Sequence, residues 1–240
     1  MNTLAVAMKV KIRVVRASDS PEETEKYIKG HLKVLESYGV TKVTSADRSW
    51  VNNPYVYLVL VESEDGEQVL GGGRVQLRSE GFPLPLEGAI FEKDERIVEY
   101  MKRFPELKVA EFCGLWNSRE VSGYGIGSIY LIRIGVAITA LLGLDCIMAF
   151  CSPFTVANSQ AVGLRIIEEL GENGTFLYPK EGLVATIMEL EDVYEMKRAR
   201  EEEREFILNL IKNPDQIIMA PSKMGDLEIE FNLSSYNSHQ

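Results

Sequence analysis

The chain of 240 residues is short of histidine, cysteine and positive charge, and each shortage argues against a class of chemistry. Its two histidines, His31 and His239, lie far apart, which speaks against a histidine-built metal site or a Ser-His-Asp triad and leaves only chemistry by His31 alone. The three cysteines, Cys113, Cys146 and Cys151, are odd in number, match no zinc spacing and sit in apolar runs. They read as reduced, buried thiols of a cytoplasmic protein. Lys and Arg number 26 against 36 Asp and Glu, a net charge of −10, the wrong sign for nonspecific nucleic-acid binding. No signal-peptide layout precedes the first strand-like run. Residues 129–151 are apolar enough to imitate a membrane span, but Arg133 and Asp145 interrupt them. With Gly143 as a break, they read as a buried helix and a buried strand.

What is present alternates between strand and helix patterns. Residues 9–16 alternate and carry β-branched side chains, predicting a strand. Ser18-Asp19-Ser20-Pro21-Glu22-Glu23 sets cap residues, proline and acids in order, predicting a helix to about Tyr38 with Gly39 as its stop. Residues 55–62 and 69–78 predict a hairpin around Asp65-Gly66, and Gly71-Gly72-Gly73 within it predicts a bulge or a close backbone neighbour. Phe82 to Pro85 reads as irregular, 93–104 as a helix ended by Pro105, and 108–117 and 145–152 as strands. Residues 153–158 read as a loop and 159–170 as an amphipathic helix stopped by Gly171. Short strands follow at 176–178 and 183–190. Beyond them, 194–212 reads as a charged helix whose Phe206, Ile207, Leu210 and Ile211 form an apolar patch, fit to dock on the domain or on a second copy as a homodimer. Residues 227–233 add a possible strand.

The most informative stretch is Leu115 to Gly127, Leu-Trp-Asn-Ser-Arg-Glu-Val-Ser-Gly-Tyr-Gly-Ile-Gly, leading from a strand through a glycine turn into a long apolar helix. Such a turn gathers backbone N–H groups at the positive end of a helix, where a pyrophosphate is favoured.

The segment resembles motif A of the GNAT superfamily of acyl-CoA-dependent N-acyltransferases, with Ser122, Gly125 and Gly127 in the motif's slots, Ser122 where Arg or Gln is usual, and Arg119 where proline is common. The element order is similar over roughly residues 9–192. The resemblance implies an α/β (α+β) fold with a mixed, mostly antiparallel sheet flanked by helices and splayed between the fourth and fifth strands. It implies acetyl-CoA or another acyl-CoA as co-substrate, with Leu115, Trp116 and Asn117 pairing with the pantetheine arm. Ser122, Gly123, Tyr124, Gly125, Ile126 and Gly127 then hold the pyrophosphate, and Asn158 occupies a family position after the fifth strand. The family's thiolate-protonating tyrosine slot falls on Arg165, leaving Ser152, Ser159 and Tyr124 as substitutes. Domains of 1–192, acyltransferase, and 193–240, a C-terminal helical extension, are expected.

In the fourth strand, simple alternation sends Ala110, Phe112, Gly114 and Trp116 one way and Glu111, Cys113, Leu115 and Asn117 the other. Glu111 is then a buried carboxylate with a raised pKa, suited to act as a general base, or else a structural carboxylate paired with Arg74. A second resemblance, to the autoinducer and N-acyl amino acid synthases, rests on Gly71-Gly72-Gly73-Arg74 and Glu111. It departs at Cys113 and Gly114, where those enzymes carry Ser-Arg, and implies a long-chain donor. The expected function is acyl transfer to an amine of a small molecule or peptide, with no metal, membrane or nucleic acid involved. A non-catalytic acyl-CoA-binding or assembly module is the alternative.

Overall fold

The computed structural model describes residues 7–37, 39 and 48–237, with Ser128 as backbone alone. Tyr38, the start of the apolar N-terminal run and His239 lie outside the described residues. The strands are β1 (Met8–Arg16), β2 (Val56–Ser63), β3 (Val69–Leu77), β4 (Val109–Asn117), β5 (Cys146–Cys151), β6 (Arg165–Ile166), β7 (Thr175–Leu177), β8 (Val184–Leu190), β9 (Asp215–Ser222) and β10 (Gly225–Asn232). They form one sheet ordered β6-β8-β5-β4-β3-β2-β1-β10-β9, with β7 also on β8. Pairing is antiparallel except between β4 and β5 and between β1 and β10.

Period-2 alternation decides which layer each side chain joins. On β2, Leu58 and Leu60 face the layer of α1 (Pro21–Ser37), where they pack with Tyr27, Trp50 and Trp116. Val59 and Val61 face the other layer, that of α4 (Leu131–Leu141). A strand covered on both sides reads as an unbroken apolar run, as Val56 to Val61 does. The helices α2 (Pro85–Phe91) and α3 (Arg96–Met101) cover the β5 and β8 half through Leu86, Ile90, Ile97 and Met101.

Several expectations change. The irregular stretch at Pro83 leads straight into α2, because Pro85 sits in its first turn and the Glu87 carboxylate reaches back to the Leu84 N–H (2.8 Å). The helix expected at 93–104 shrinks to α3. The loop expected at 153–158 is helix α5 (Pro153–Ala161), and the helix expected at 159–170 is not formed. Ser152 precedes a first-turn proline and its carbonyl accepts from the Thr155 N–H (3.0 Å), while Gly163 at φ +101° stops the helix. Arg165 and Ile166 then pair with β8. The amphipathic period across 159–170 therefore belongs to two elements.

At the C-terminus, α6 (Glu201–Lys212) starts later than expected. Its apolar patch docks within the chain: Ile207 and Leu210 are buried beside α4, with Phe206 and Ile211 packed against that core. The Arg133 guanidinium of α4 donates twice to the Glu203 carboxylate of α6 (2.6 and 2.9 Å). The strand expected at 227–233 is β10. It extends the sheet beside β1, with Leu227, Ile229 and Phe231 buried, and carries β9 as the outer edge.

Candidate active site

β4 and β5 pair at Val109–Cys146, Ala110–Ile147 and Glu111–Met148 and then separate, each continuing with its other neighbour. Where they part, β4 bulges. Gly72 faces Trp116 and Arg74 faces Cys113, so Gly114 and Leu115 together oppose Gly73. Gly114 takes φ +60°, and its carbonyl accepts from the Tyr27 hydroxyl of α1 (2.5 Å). The extra residue reverses the alternation expected from the sequence. Beyond the bulge Leu115 packs with Phe112 on the α4 side, and Trp116 joins Tyr27 and Trp50 on the α1 side. The glycine run of β3 is a site of close approach, since a methyl at Gly71 would press on the Trp116 carbonyl and one at Gly73 on the Phe112 ring.

The glycine turn follows β4. Gly123 and Gly125 hold φ +85° and +84°, a region open to glycine at no steric cost. The Gly125 carbonyl accepts from both Ile129 (3.0 Å) and Tyr130 (3.3 Å), a wide π-type turn ahead of α4. Asn117 Oδ1 lies against Gly127, so any side chain there would collide with it. A cleft of about 760 Å³ opens on this turn. Asn117 and Ser122, Gly123, Tyr124, Gly125, Ile126 and Gly127 line it together, and the N–H groups of a helix's first turn have no acceptor inside the helix. Leu115, Trp116, Glu111 and Asn158 are not among its lining residues.

The cleft also has walls that the sequence reading missed. Phe154 and Thr155 come from α5, Pro221 and Ser222 from the end of β9, and Lys223 from the turn between β9 and β10. Lys223 brings a cation to a motif that has Ser122 in its usual Arg or Gln slot. Arg133 lines the cleft too, but its charge is committed to Glu203. The local signal for the hairpin was the alternation of β10, whose Leu227, Ile229 and Phe231 are buried. Nothing local linked it to the glycine turn.

On the α1 side of the sheet, Glu111 is 2% exposed and accepts from the Leu86 N–H of α2 (2.7 Å). Burial pushes its carboxyl up to about 7 from the ordinary 4.5, while the Leu86 N–H and the Arg74 charge hold it down in part. Arg74 lies on β3 opposite Cys113 and diagonal to Glu111, because Gln76 is the residue opposite Glu111. No ion pair joins Arg74 to Glu111 among the described residues, so the structural pairing is not formed. The Arg74 Nε donates to Cys113 Sγ (3.3 Å), and its guanidinium lies 4.6 Å over the Trp50 ring. Burial and the Arg74 charge lower His31 to about 4, so its imidazole is neutral near pH 7.

Among the other positions weighed for proton transfer, Arg165 is bound to Glu189 and lies 3.4 Å from Glu191, so it is fixed at the β8 edge. Ser159 contacts Cys151 (3.4 Å) in a buried pair, and Ser152 sits against Thr155 (3.5 Å). Tyr124 is the one of these substitutes that lines the cleft. Burial raises the Cys151 thiol, and all three cysteines are free. No His, Cys, Asp and Glu cluster fit for a metal occurs among the described residues. No helix among them is long and apolar enough to cross a membrane.

No protein-family model matches the chain, and no curated protein matches its sequence. Solved structures do match. FeeM, an N-acyl amino acid synthase from uncultured soil microbes, superposes with a TM-score of 0.63 at 13% identity over 83% of this chain and 99% of its own. MesI, a CoA-dependent acyl-homoserine lactone synthase, gives 0.53 at 15% identity over 84% and 95%. A putative N-acetyltransferase from Lactobacillus plantarum gives 0.51 at 13% identity over 75% and 97%. At these identities the likeness is one of fold. The chain has the mixed, mostly antiparallel fold of the GNAT superfamily, which acetyltransferases share with acyl-homoserine lactone and N-acyl amino acid synthases.

Proposed function

We propose that the protein transfers an acyl group from acyl-CoA to an amine, with Glu111 as the general base and the Ser122–Gly127 turn as the pyrophosphate cradle. The observation that carries this reading is a phosphate-suited turn where β4 and β5 have parted, with a buried carboxylate, Glu111, on the strand that leads into it. In the reaction, Glu111 removes a proton from the ammonium and the free amine attacks the thioester carbonyl. The new C–N bond forms as the C–S bond breaks, and the remaining excess proton on the acylated nitrogen goes to the leaving thiolate, which departs as the free thiol. In this reading the backbone of Leu115 to Asn117 pairs with the pantetheine arm and Lys223 meets a phosphate; the end of the β4–β5 pairing at Glu111 and the position of Lys223 on the cleft support it. Three free thiols suit a reducing compartment, so the cytoplasm is the proposed location.

A second reading, a long acyl chain in place of acetyl, draws on Arg74 and Glu111, the residues that match the synthase-like motif, which stand on one face of the sheet. Calorimetric titration with acetyl-CoA and dodecanoyl-CoA, followed by thiol release on a panel of primary amines, tests both readings. Tighter binding and faster turnover of one donor chooses between them. Saturable binding without turnover on any amine would favour a non-catalytic acyl-CoA-binding module, and no binding of either donor overturns the proposal.

Lys223→Glu reverses a charge at the cleft without touching the core. It is expected to weaken acetyl-CoA binding by about tenfold, roughly 1.4 kcal/mol, and the deficit should shrink as salt is raised. Calorimetry at low and high ionic strength reads both effects.

A further inference from the structure

The cleft of about 760 Å³ on the glycine turn has more wall than a pyrophosphate alone would touch. Glu111, Leu115 and Trp116 do not line it, so it extends beyond the turn rather than back along β4. Its further walls are the first turn of α5, with Phe154, and the tip of the β9–β10 hairpin, with Pro221, Ser222 and Lys223. The tip rests on the turn itself, since a methyl at Gly123 would press on the Met224 side chain. Ser222 holds the tip in shape, its hydroxyl accepting from the Met224 N–H (3.1 Å) and donating to the Gly225 carbonyl (2.6 Å). Lys223 makes no ion pair among the described residues, whereas Arg133 is held by Glu203. Phe154 is 91% exposed, while the other ring deep in the cleft wall, Tyr130, is buried and stands edge-on to Phe206. A lone exposed aromatic is ordinary on a protein surface. This one shares a cleft with an uncommitted cation and a phosphate-suited turn. A flat apolar ring beside positive charge is the recognition set of a nucleotide, which offers a base to stack and phosphates to neutralise.

We infer that Phe154 and the tip of the β9–β10 hairpin form a nucleotide seat, with the adenine of the donor stacked on Phe154 and Lys223 on one of its phosphates. The inference rests on the acyl-transfer reading for which nucleotide is bound, but the seat itself is tested by binding alone. A pyrophosphate on the turn joins two arms of the donor. The pantetheine arm leads into the gap between β4 and β5, so the adenosine arm lies against the walls that the gap does not supply. Because Phe154 stands in solvent until a base covers it, removing its ring costs ligand affinity and nothing of the core.

The test titrates CoA, ADP and 4′-phosphopantetheine into wild type, Phe154→Ala and Phe154→Trp by calorimetry, and follows tryptophan fluorescence in Phe154→Trp. Phe154→Ala is expected to weaken CoA and ADP by about 10-fold or more, the cost of one lost base stack, and to leave phosphopantetheine, which has no base, as in wild type. The melting temperature should not move. Phe154→Trp should bind CoA at least as well as wild type, and its added fluorescence should be quenched by CoA and by ADP but not by phosphopantetheine. CoA affinity unchanged in Phe154→Ala, or phosphopantetheine weakened as much as CoA, overturns the inference. If such a protein still acylates an amine from acyl-CoA, the acyl-transfer reading stands without the seat. Phe154-dependent binding of CoA and ADP with no amine acylated supports the seat and fails the acyl-transfer reading instead. Binding of none of the three probes by folded wild type overturns both.

Discussion

Replacing Glu111 by Gln is expected to lower kcat by about 10²–10⁴-fold, the usual range for a lost general base, while acyl-CoA affinity stays near wild type. The two side chains have nearly the same shape, and the Gln carbonyl can keep the bond from the Leu86 N–H. In wild type, kcat/KM should rise with pH through about 7, where the carboxyl loses its proton, and then level off. The variant should lack that limb. The same substitution should act on stability with the opposite sign. Folding raises this carboxyl from 4.5 to about 7, so between those values the native state holds a proton that the unfolded chain has released. Its favourable contribution is complete below about 4.5, falls as pH rises, and is gone above about 7. At pH 8 wild type therefore buries a charge that Glu111→Gln does not, a difference of up to about 3 kcal/mol. Urea unfolding at pH 8 should show the variant more stable, with the gap closing toward pH 5. A variant that is inactive yet less stable at both pH values would mark Glu111 as a structural carboxylate instead.

The features legible in the sequence were those set by local chain chemistry. Positive φ at Gly123 and Gly125 follows from the glycine spacing, and the burial of Glu111 follows from its place in an apolar strand. The features that were not legible depend on partners far along the chain. Strict alternation assigned Trp116 to the wrong side because the bulge at Gly114 is set by pairing with Gly73, and a single extra residue exchanges the faces of everything after it. The helix after β5 was displaced because one apolar period ran through α5 and β6, and Gly163, which divides them, reads as an ordinary helix interior glycine. No element was assigned to the stretch that forms β9, whose Pro221 sits near its end on the sheet's outer edge, where an edge strand accepts proline. With β9 went Lys223, a cleft residue contributed by the C-terminal hairpin.

Gly125→Glu is expected to abolish measurable acyl-CoA binding, a loss of at least about 100-fold, with the fold retained. The backbone there sits at φ +84°, so any side chain carries strain of roughly 1–2 kcal/mol, below the stability of an ordinary domain. The space itself is available: a methyl at this position would meet Ile129 and Tyr130 at 3.7 Å, ordinary contact. What changes is charge, because a carboxylate placed beside the N–H groups at the start of the Ile126–Tyr130 turn competes for them and repels a pyrophosphate. Gly125→Ala separates the two effects. It carries the same backbone strain without the charge, so it should lower the melting temperature about as much as Gly125→Glu while keeping most of the affinity. Gly127 would not serve, since a side chain there collides with Asn117 Oδ1 and would confuse a damaged turn with a blocked site. If alanine and glutamate cost the same affinity, the turn's shape is the determinant and the anion cradle falls. If only glutamate removes binding from a folded protein, the Ser122–Gly127 turn ahead of α4 is where the phosphates sit, and the acyl chain must run from there along the gap between β4 and β5 toward Glu111.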